Sequence, residues 1–237
     1  MFDFTGQVVV VTGATGNLGK ATVAAFARAG ARLVLVGRPG RPLEELFPDL
    51  VEAGDHLFTA VDLTDAHAVE GLAFDVLQQV ERVDVLVNIA GGFRGGAPLH
   101  ETPLEIWDFL LDLNARSVFH TARAFIPHML RQEQGKVINV AARAGLAGTR
   151  NQAAYSAAKS AVIRLTESMS AELKGRGINV NCVLPHTIDT PENRQAMPNA
   201  AHEKWVSPEA MAGVILFLAS EAARPIHGAC IPVYGLG

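Results

Sequence analysis

A tyrosine and a lysine four residues apart, Tyr155 and Lys159, carry side chains that can move a proton. On a helix this spacing places both side chains on one face. A cation beside a phenol lowers the pKa of the phenol, so Tyr155 could serve as a general acid and base near neutral pH. Asn114, in a long helical segment, could hold a water that connects Lys159 with solvent, with a surface asparagine as the alternative.

A glycine-rich turn supplies a second chemical signal. The first strand-like run leads into Thr12–Gly19 (TGATGNLG), whose glycines are three residues apart, and a helical segment follows. Glycine lets a backbone approach a diphosphate closely, and the free N–H groups of a helix N-terminus attract phosphates. A plain structural turn is the alternative, but this context favours dinucleotide binding. The predicted contacts are Gly13, Thr15, Gly16, Asn17, Leu18 and Gly19.

The end of the second predicted strand bears on the choice of nicotinamide cofactor. An acidic residue there would accept hydrogen bonds from the adenosine ribose of NAD(H). The segment Gly37–Arg41 (GRPGR) has no carboxylate, and the next one along the chain is Glu44. Arg38, helped by Arg41, could instead bind a 2′-phosphate, for which a guanidinium is well shaped; a solvated loop arginine is the alternative. The sequence favours NADP(H) and leaves NAD(H) open.

Further candidates follow other predicted strands, where ligands of such sheets bind. They are expected near the adenine and its ribose, although each could also be a simple turn or strand-end residue. The segment 186–206, rich in proline, asparagine and histidine, is predicted to be a lid over the substrate rather than an inert connector. The strand-end candidates are Asp62 and Leu63 after the third strand, and Asn88, Ala90 and Gly91 after the fourth.

These residues must be positioned by alternating strands and helices. Short β-branched runs are separated by segments whose apolar residues recur three and four apart, as in helices. The nearly continuous apolar strands are typical of a parallel sheet covered on both faces. The sequence therefore predicts an α/β protein with a single-domain doubly wound Rossmann fold over 1–237, its central parallel sheet of about seven strands flanked by helices on both faces. The predicted strands are 7–13, 32–37, 56–63, 83–91, 135–142, 177–185 and 229–235.

We expect the cofactor half of this domain to span about 1–135 and the catalytic and substrate half about 136–237. The net charge of −4 leaves no basic excess for binding nucleic acid. No lysine or arginine run suggests a membrane surface, no apolar run is long enough to cross a bilayer, and the start has no cationic n-region. We therefore expect a cytoplasmic protein that binds neither nucleic acid nor membrane.

The cysteines and histidines suggest no metal. Cys182 and Cys230 lie in apolar strand-like contexts and are predicted to be buried free thiols, with a disulfide as the alternative. The eight histidines show none of the spacings of a zinc site. The site is expected to use organic cofactor chemistry alone.

Taken together, the motifs resemble those of the short-chain dehydrogenase/reductase family over essentially the whole chain. The resemblance implies that Tyr155 is the general acid and base, that Lys159 binds the nicotinamide ribose and tunes Tyr155, and that Asn114 serves a proton relay. It also implies a homodimer or homotetramer. The carboxamide of the nicotinamide would be held by the loop that contains Pro185, Thr187, Ile188 and Thr190.

Three positions depart from the pattern of that family. The middle glycine of the turn is Gly16 rather than the next residue, and His186 replaces the glycine usual after Pro185. Ala142, thirteen residues before Tyr155, stands where the family keeps a catalytic serine. Such a hydroxyl donates to a developing oxyanion, and losing a donor of this kind costs about 10²–10³ in rate. A simple ketone is therefore predicted to react poorly.

One branch of the family, the quinonoid dihydropteridine reductases, is more similar in the loops on the substrate side. The shared features are the spacing of the glycine turn, the segment Ala90–Gly96 (AGGFRGG), the lid pattern in Leu184–Trp205 and the alanine in place of the serine. That branch usually prefers NADH, carries an acidic residue after the second strand and lacks Asn114. The substrate residues suggested are Phe93, Ala142, His186 and Met197.

The sequence thus predicts an NAD(P)H-dependent oxidoreductase that transfers hydride to a small conjugated acceptor such as a quinonoid dihydropterin, with Tyr155 as general acid. Such an acceptor spreads charge over ring nitrogens, so it needs no second oxyanion donor. Phe93 could stack on a flat ring or merely seal the core. One alternative is a general ketone or alcohol oxidoreductase in which a water or Thr149 replaces the serine. The other is a silent NADPH-binding sensor, against which the retained Tyr155, Lys159 and Asn114 argue.

Overall fold

A computed structural model describes residues 2–236, and a parallel seven-stranded sheet forms its centre. The strands lie in the order β3-β2-β1-β4-β5-β6-β7, so the direction of the winding reverses between β1 and β4. This confirms the predicted doubly wound sheet. The strands are β1 (Val8–Thr12), β2 (Arg32–Gly37), β3 (Leu57–Ala60), β4 (Val85–Asn88), β5 (Gly135–Val140), β6 (Ile178–Pro185) and β7 (Cys230–Val233).

Helices cover both faces of this sheet. None of the helices within the described residues is both long enough and apolar enough to span a membrane. The longest, α7, runs from Ala153 to Leu173. In chain order the helices are α1 (Asn17–Arg28), α2 (Leu43–Leu46), α3 (Pro48–Ala53), α4 (Ala66–Val80), α5 (Leu104–Leu111), α6 (Ser117–Gln132), α7 (Ala153–Leu173), α8 (Pro191–Ala196) and α9 (Pro208–Ala219).

The continuous apolar runs of the strands are explained by two separate cores. Successive side chains of a strand point to opposite faces of the sheet. In β1, Val9 and Val11 pack in the core that includes residues of α1 and α9, whereas Val8 and Val10 pack in the core that includes residues of α4 and α6. Every residue of β1 is therefore buried, and no polar alternation can appear.

Five of the seven strands end earlier than the sequence pattern predicts, whereas β2 and β6 end where predicted. The fourth run was expected to extend through residue 91, but β4 ends at Asn88. Ile89, Ala90 and Gly91 instead leave the sheet and line the cavity at its edge. Apolar content alone cannot separate these residues from the strand, because both environments exclude much of the solvent.

Candidate active site

A cavity of about 1440 Å³ lies at the carboxyl ends of the strands. Its walls include residues at or just beyond the ends of β2 to β6, together with the turn after β1. In open α/β sheets, ligands bind at this edge, where the strand order reverses. The cavity is therefore the expected site for a cofactor and a substrate together.

The structure brings nearly all of the predicted site residues to this one cavity. Asn88 is the exception: it is buried below the edge, donating from Nδ2 to Asn139 Oδ1 at 2.9 Å and accepting from Thr121 Oγ1 at 2.8 Å. It ties the sheet to α6 rather than lining the cavity. The predicted residues that do line it are Gly13, Thr15, Gly16, Asn17, Leu18, Gly19, Arg38, Asp62, Leu63, Ala90, Gly91, Phe93, Asn114, Ala142, Tyr155, Lys159, Pro185, His186, Thr187, Ile188, Thr190 and Met197.

The glycine turn is shaped by contacts that admit no side chain. Gly13 has φ +68°, and a Cβ there would lie 2.8 Å from the backbone nitrogen of Ala90. A Cβ on Gly19 would lie 2.1 Å from the carbonyl oxygen of Gly13. Gly16 caps α1 without a side-chain hydrogen bond, which leaves the first N–H groups of the helix open. The turn thus forms a backbone cradle that fits the diphosphate of a dinucleotide.

Arg38 and Arg41 line the cavity beyond β2, and Asp62 lies beyond β3. The Asp62 carboxylate accepts from the backbone N–H of Thr64 at 2.9 Å and from its hydroxyl at 2.7 Å. These bonds, with a smaller contribution from the Arg38 guanidinium, hold the pKa of Asp62 below its usual value. The cavity therefore combines a fixed carboxylate and a guanidinium where an adenosine ribose would lie.

Tyr155 and Lys159 lie in the first two turns of α7, with Lys159 Nζ 6.0 Å from the centre of the Tyr155 ring. Nζ donates to the carbonyl oxygen of Val140 at the end of β5, at 2.9 Å. This bond anchors the lysine between α7 and the sheet. The sequence offers no signal for it, because any residue supplies a backbone carbonyl.

The sequence analysis expected the Lys159 cation to lower the pKa of Tyr155, but burial has the larger effect on both residues. Burial raises the pKa of Tyr155 to about 12, and burial lowers the pKa of Lys159 to about 8. The expected lowering of the phenol pKa by the cation is therefore not found. A buried phenol stays protonated and is ready to donate a proton, whereas the lysine gives up its proton more easily than in water.

Asn114 is fully buried, so it is not a surface asparagine. It lies in a π turn, Asp112–Arg116, between α5 and α6; such turns occur frequently at functional sites. Its amide donates to the carbonyl oxygens of Leu110 and Gly92 at 2.9 and 3.0 Å and accepts from the N–H of Gly92 at 3.2 Å. The side chain therefore holds the loop after β4; the proton relay stays a prediction.

Gly91 fills the narrow space between Asn114 and Lys159. A Cβ there would lie 2.8 Å from Asn114 Oδ1 and 3.3 Å from Lys159 Nζ. Thr12 holds the same loop from the other side, since its Oγ1 accepts from the N–H groups of Ile89 and Ala90 at 3.1 and 3.2 Å. Sequence reasoning missed Thr12 as an individual residue, although it opens the glycine turn.

We call the part of the cavity around Tyr155 the acceptor side; it is lined by Phe93, Ala142, Arg143 and residues of the segment 186–206. Ala142 follows β5, and this residue is 4% exposed. Phe93 is 57% exposed and meets Tyr155 edge to face, with ring centres 5.0 Å apart. Phe93 therefore does not seal the core, and part of its ring is open to the cavity.

Arg143 brings a positive charge to this side, although the sequence reasoning did not single it out. Its guanidinium lies 5.1 Å from the ring centre of Tyr234, and His186 packs on the same ring with centres 6.4 Å apart. Burial and the nearby Arg143 charge lower the pKa of His186, so the imidazole is neutral at neutral pH. The sequence signal for Arg143 was its position directly after Ala142, the residue at the usual serine position.

The segment 186–206, predicted to be a lid, folds into a short helix, α8, and ends at Val206, which forms an isolated β-bridge with Ile188. Thr190 caps α8 by accepting from the N–H of Asn193 at 3.2 Å, and Asn193 Nδ2 donates to the carbonyl oxygen of Ile188 at 2.8 Å. Asn17, in the first turn of α1, donates to the Glu192 carboxylate at 2.7 Å. The lid is thus joined to the glycine turn across the cavity.

This arrangement can bind a dinucleotide along the strand ends and place a proton donor, Tyr155, beside the acceptor. Within residues 2–236, no group of three or more histidine, cysteine, aspartate or glutamate side chains is arranged to hold a metal. Tyr155 and Lys159 can provide general acid–base catalysis next to a bound dinucleotide.

Comparisons with known proteins agree with this geometry. The family model "short chain dehydrogenase" matches residues 7–201. The 3-oxoacyl-(acyl-carrier-protein) reductase FabG of Thermotoga maritima is 35% identical, and the match covers 97% of this chain and 97% of that protein. Dehydrogenase/reductase SDR family member 6 of Rattus norvegicus is 32% identical over 97% of this chain and 96% of its own. These relatives do not single out the pteridine-reductase branch.

Solved structures give the same result. A Beutenbergia cavernae protein described as an NAD(P)-dependent gluconate 5-dehydrogenase, with NADP bound at low occupancy, superposes with a TM-score of 0.89 at 33% identity, covering 99% of this chain and 97% of its own. An NAD⁺-bound xylitol dehydrogenase superposes with a TM-score of 0.89 at 28% identity, covering 98% of this chain and 99% of its own. One of these proteins holds NADP and the other NAD⁺, so neither settles the preference here.

Proposed function

Since the chain belongs to the short-chain dehydrogenase family and is an NAD(P)-dependent oxidoreductase, we propose that it reduces a flat, conjugated acceptor such as a quinonoid dihydropterin, with NADPH as the preferred donor. The observation that carries this proposal is Ala142. A methyl group occupies the wall where the family places a hydroxyl donor, while Tyr155 and Lys159 are retained beside it.

The residues of the chain have distinct parts in this reaction. A bound nicotinamide supplies the hydride. Tyr155 donates its phenolic proton to the acceptor, and burial keeps that proton in place, since it raises the pKa of Tyr155 to about 12. Lys159, fixed by the Val140 carbonyl, provides positive charge beside the phenol as the proton leaves. The exposed ring of Phe93 offers a surface against which a flat acceptor can stack.

The missing hydroxyl limits which acceptors react well. During ketone reduction, charge develops on one oxygen, and a missing donor costs about 10²–10³ in rate. In a conjugated acceptor the charge spreads over several ring atoms, so one proton donor is sufficient. The names of the relatives reported above refer to oxoacyl, gluconate and xylitol substrates, so the conjugated acceptor rests on the residues of this chain.

Arg38 supports the preference for NADPH. It lines the cavity directly after β2, with Arg41 beside it, and the segment contains no carboxylate. A guanidinium binds a phosphate through parallel hydrogen bonds. The carboxylate of Asp62 lies after β3, and its hydrogen bonds to Thr64 already occupy one of its oxygens.

A carbonyl reductase is the second candidate, and two observations favour it. The relatives that match nearly the whole chain include the 3-oxoacyl-(acyl-carrier-protein) reductase of Thermotoga maritima. Thr149 and Gln152 also line the cavity, so their side chains can supply a donor from a different position. In this candidate Thr149 would take over the role of the absent serine.

A matched substrate panel tests the two candidates. The purified full chain is assayed with NADPH and NADH against a quinonoid dihydropterin, a para-quinone, a 3-oxoacyl thioester and a diketone. We expect the conjugated acceptors to give values of kcat/KM at least tenfold above those of the carbonyl compounds, with NADPH better than NADH. The reverse order for the acceptors would support the carbonyl reductase and overturn the first proposal.

A further inference from the structure

The two cysteines of the chain form a pair that the proposed reaction does not use. Cys182 on β6 lies directly opposite Cys230 on β7 in the parallel register. Their Sγ atoms are 3.3 Å apart, and both residues are free thiols. Neither residue lines the cavity of the candidate active site.

The backbone at this pair has a spacing that a disulfide can bridge. Neighbouring strands lie about 4.7–4.9 Å apart. A disulfide needs Cα atoms about 4.4–6.8 Å apart and an S–S bond of about 2.0 Å. The two sulfur atoms already point to the same side of the sheet and must approach by little more than about 1 Å.

The two thiols differ in exposure and in acidity. Cys182 is 0% exposed, whereas Cys230 is partly exposed. The Cys182 thiol donates its hydrogen bond to Cys230 Sγ. This bond raises the pKa of Cys182, with burial adding to the rise, and it lowers the pKa of Cys230. Since the thiolate is the reactive form, Cys230 is the nucleophile, and Cys182 is the resolving cysteine that reacts second.

We propose that Cys182 and Cys230 are a redox modification site, at which a hydroperoxide converts the pair to a reversible intrachain disulfide. The Cys230 thiolate attacks one peroxide oxygen, the O–O bond breaks, and a sulfenic acid and a hydroxide ion form. The Cys182 thiol then attacks that sulfur, the S–O bond breaks, and water leaves. The pair loses two electrons, and the peroxide gains them.

The crosslink also reaches the acceptor side. Cys182 is three residues before Pro185, where the cofactor loop begins, and Cys230 is four residues before Tyr234. The Tyr234 ring packs on His186 and lies beneath Arg143. Closing the S–S bond moves both cysteine side chains in the two strands that carry this wall, so we infer that oxidation lowers turnover. This second effect rests on the proposed enzymatic activity, whereas formation of the disulfide does not.

The first test follows the thiols themselves. The purified full chain is treated with hydrogen peroxide, the peroxide is removed with catalase, and the protein is digested without reductant for mass spectrometry. We expect the free thiols, counted after unfolding, to fall from two to zero, with a loss of two hydrogens and one crosslinked peptide that joins Cys182 and Cys230. Dithiothreitol should restore both thiols. A crosslink between two chains, or stable sulfinic acid at Cys230 beside an intact Cys182 thiol, would overturn the proposal.

Matched variants test the assigned order of the two thiols. In Cys182→Ser, the hydroxyl keeps a hydrogen-bond donor beside Cys230 but offers no thiol, so peroxide should give a sulfenic acid that dimedone traps. In Cys230→Ser, the buried Cys182 should remain a thiol under the same treatment. Equal reactivity of the single remaining cysteine in both variants contradicts the order. Circular dichroism on each variant establishes that it is folded before its thiol is scored.

Turnover provides a separate readout of the coupling. Peroxide should lower kcat of the wild type severalfold, dithiothreitol should reverse the loss, and Cys230→Ser should keep its activity throughout. Unchanged kcat in fully crosslinked protein overturns the coupling, although the modification site stands. Absence of activity before oxidation contradicts the proposed function alone, because the disulfide is detected by mass.

Discussion

The two ends of the cavity are built in different ways. At the cofactor end, backbone atoms approach so closely that Gly13 and Gly19 admit no Cβ. At the acceptor end, side chains such as Phe93 and Met197, which are 57% and 40% exposed, form the wall. Backbone contacts tolerate few substitutions, whereas exposed side chains can change without disturbing the fold. The difference explains how one fold can keep its cofactor and vary its acceptor.

Removing the phenolic hydroxyl of Tyr155 should cause the largest loss of activity. This change affects the acceptor end and leaves the cofactor end intact. We expect Tyr155→Phe to lower kcat/KM by about 10²–10⁴, the usual contribution of general acid catalysis. The Kd of NADPH, measured by fluorescence titration, should stay within about threefold because the glycine cradle is unchanged. More than a tenth of the wild-type activity in this variant would show that another group donates the proton.

Adding one methyl group to the glycine turn should damage the cofactor end. In Gly19→Ala the Cβ would lie 2.1 Å from the Gly13 carbonyl oxygen. Overpacking of this kind costs about 1–3 kcal/mol, so NADPH should bind about 10- to 100-fold more weakly. Gly213→Ala is the matched control, since Gly213 also lies in a helix and its Cβ would meet nothing within 4 Å. Equal Kd values for the two variants would contradict the backbone account.

Removing the guanidinium of Arg38 tests a contact at the cofactor end that depends on a side chain rather than on the backbone. Arg38→Ala should weaken NADPH binding about tenfold or more, as expected for a lost hydrogen bond between charged groups. Binding of NADH, which has no 2′-phosphate, should change little. Titrations of both cofactors with the variant and the wild type measure this difference. A parallel loss for NADH would mean that Arg38 binds a part shared by both cofactors.

Restoring a hydroxyl at the acceptor end should broaden the set of acceptors. In Ala142→Ser the new donor sits where the family keeps its serine, so we expect kcat/KM for a diketone or an oxoacyl thioester to rise about tenfold. This is less than the 10²–10³ that losing such a donor costs, because the surrounding groups have not adapted to it. The value for a conjugated acceptor should change by less than about threefold. Unchanged ketone reduction would argue for a donor elsewhere, such as Thr149.

The smallest expected effect is the change of kcat/KM with pH, which depends on the charge of Lys159. Burial lowers the pKa of Lys159 to about 8, so we expect half of its charge to be lost at that pH. Tyr155 stays protonated at this pH, since burial raises its pKa to about 12. We therefore expect kcat/KM for reduction to fall about twofold between pH 7 and pH 8 and more steeply above. A flat profile up to about pH 9.5 would show that the lysine charge is not required.

The lowered pKa of Lys159 affects stability in the opposite direction from activity as the pH rises. The folded chain releases the Lys159 proton near pH 8, whereas the unfolded chain keeps it up to the usual value of 10.5. The unfolded state therefore binds more protons within this window, and the contribution of Lys159 to the free energy of unfolding rises with pH. The alkaline loss of activity should thus occur without a loss of folded protein that is due to Lys159.

The two ends of the cavity also differ in how well they could be predicted. The glycine turn, the strands and the Tyr155–Lys159 spacing have local signals, so their positions followed from the sequence. Asn88 was assigned to the cofactor, but it hydrogen-bonds to Asn139 and Thr121 below the cavity. Those partners are 51 and 33 residues away in the chain, and no local pattern reports such contacts.

By itself, the sequence determined the doubly wound sheet, the backbone cradle of the turn and the alanine at position 142, because periodicity, glycine spacing and residue identity are local properties. Only the tertiary structure decided the protonation of Tyr155 and Lys159, the burial of Asn114 and the opposition of Cys182 and Cys230. These features depend on desolvation and on contacts between distant segments, which arise only when the chain is packed.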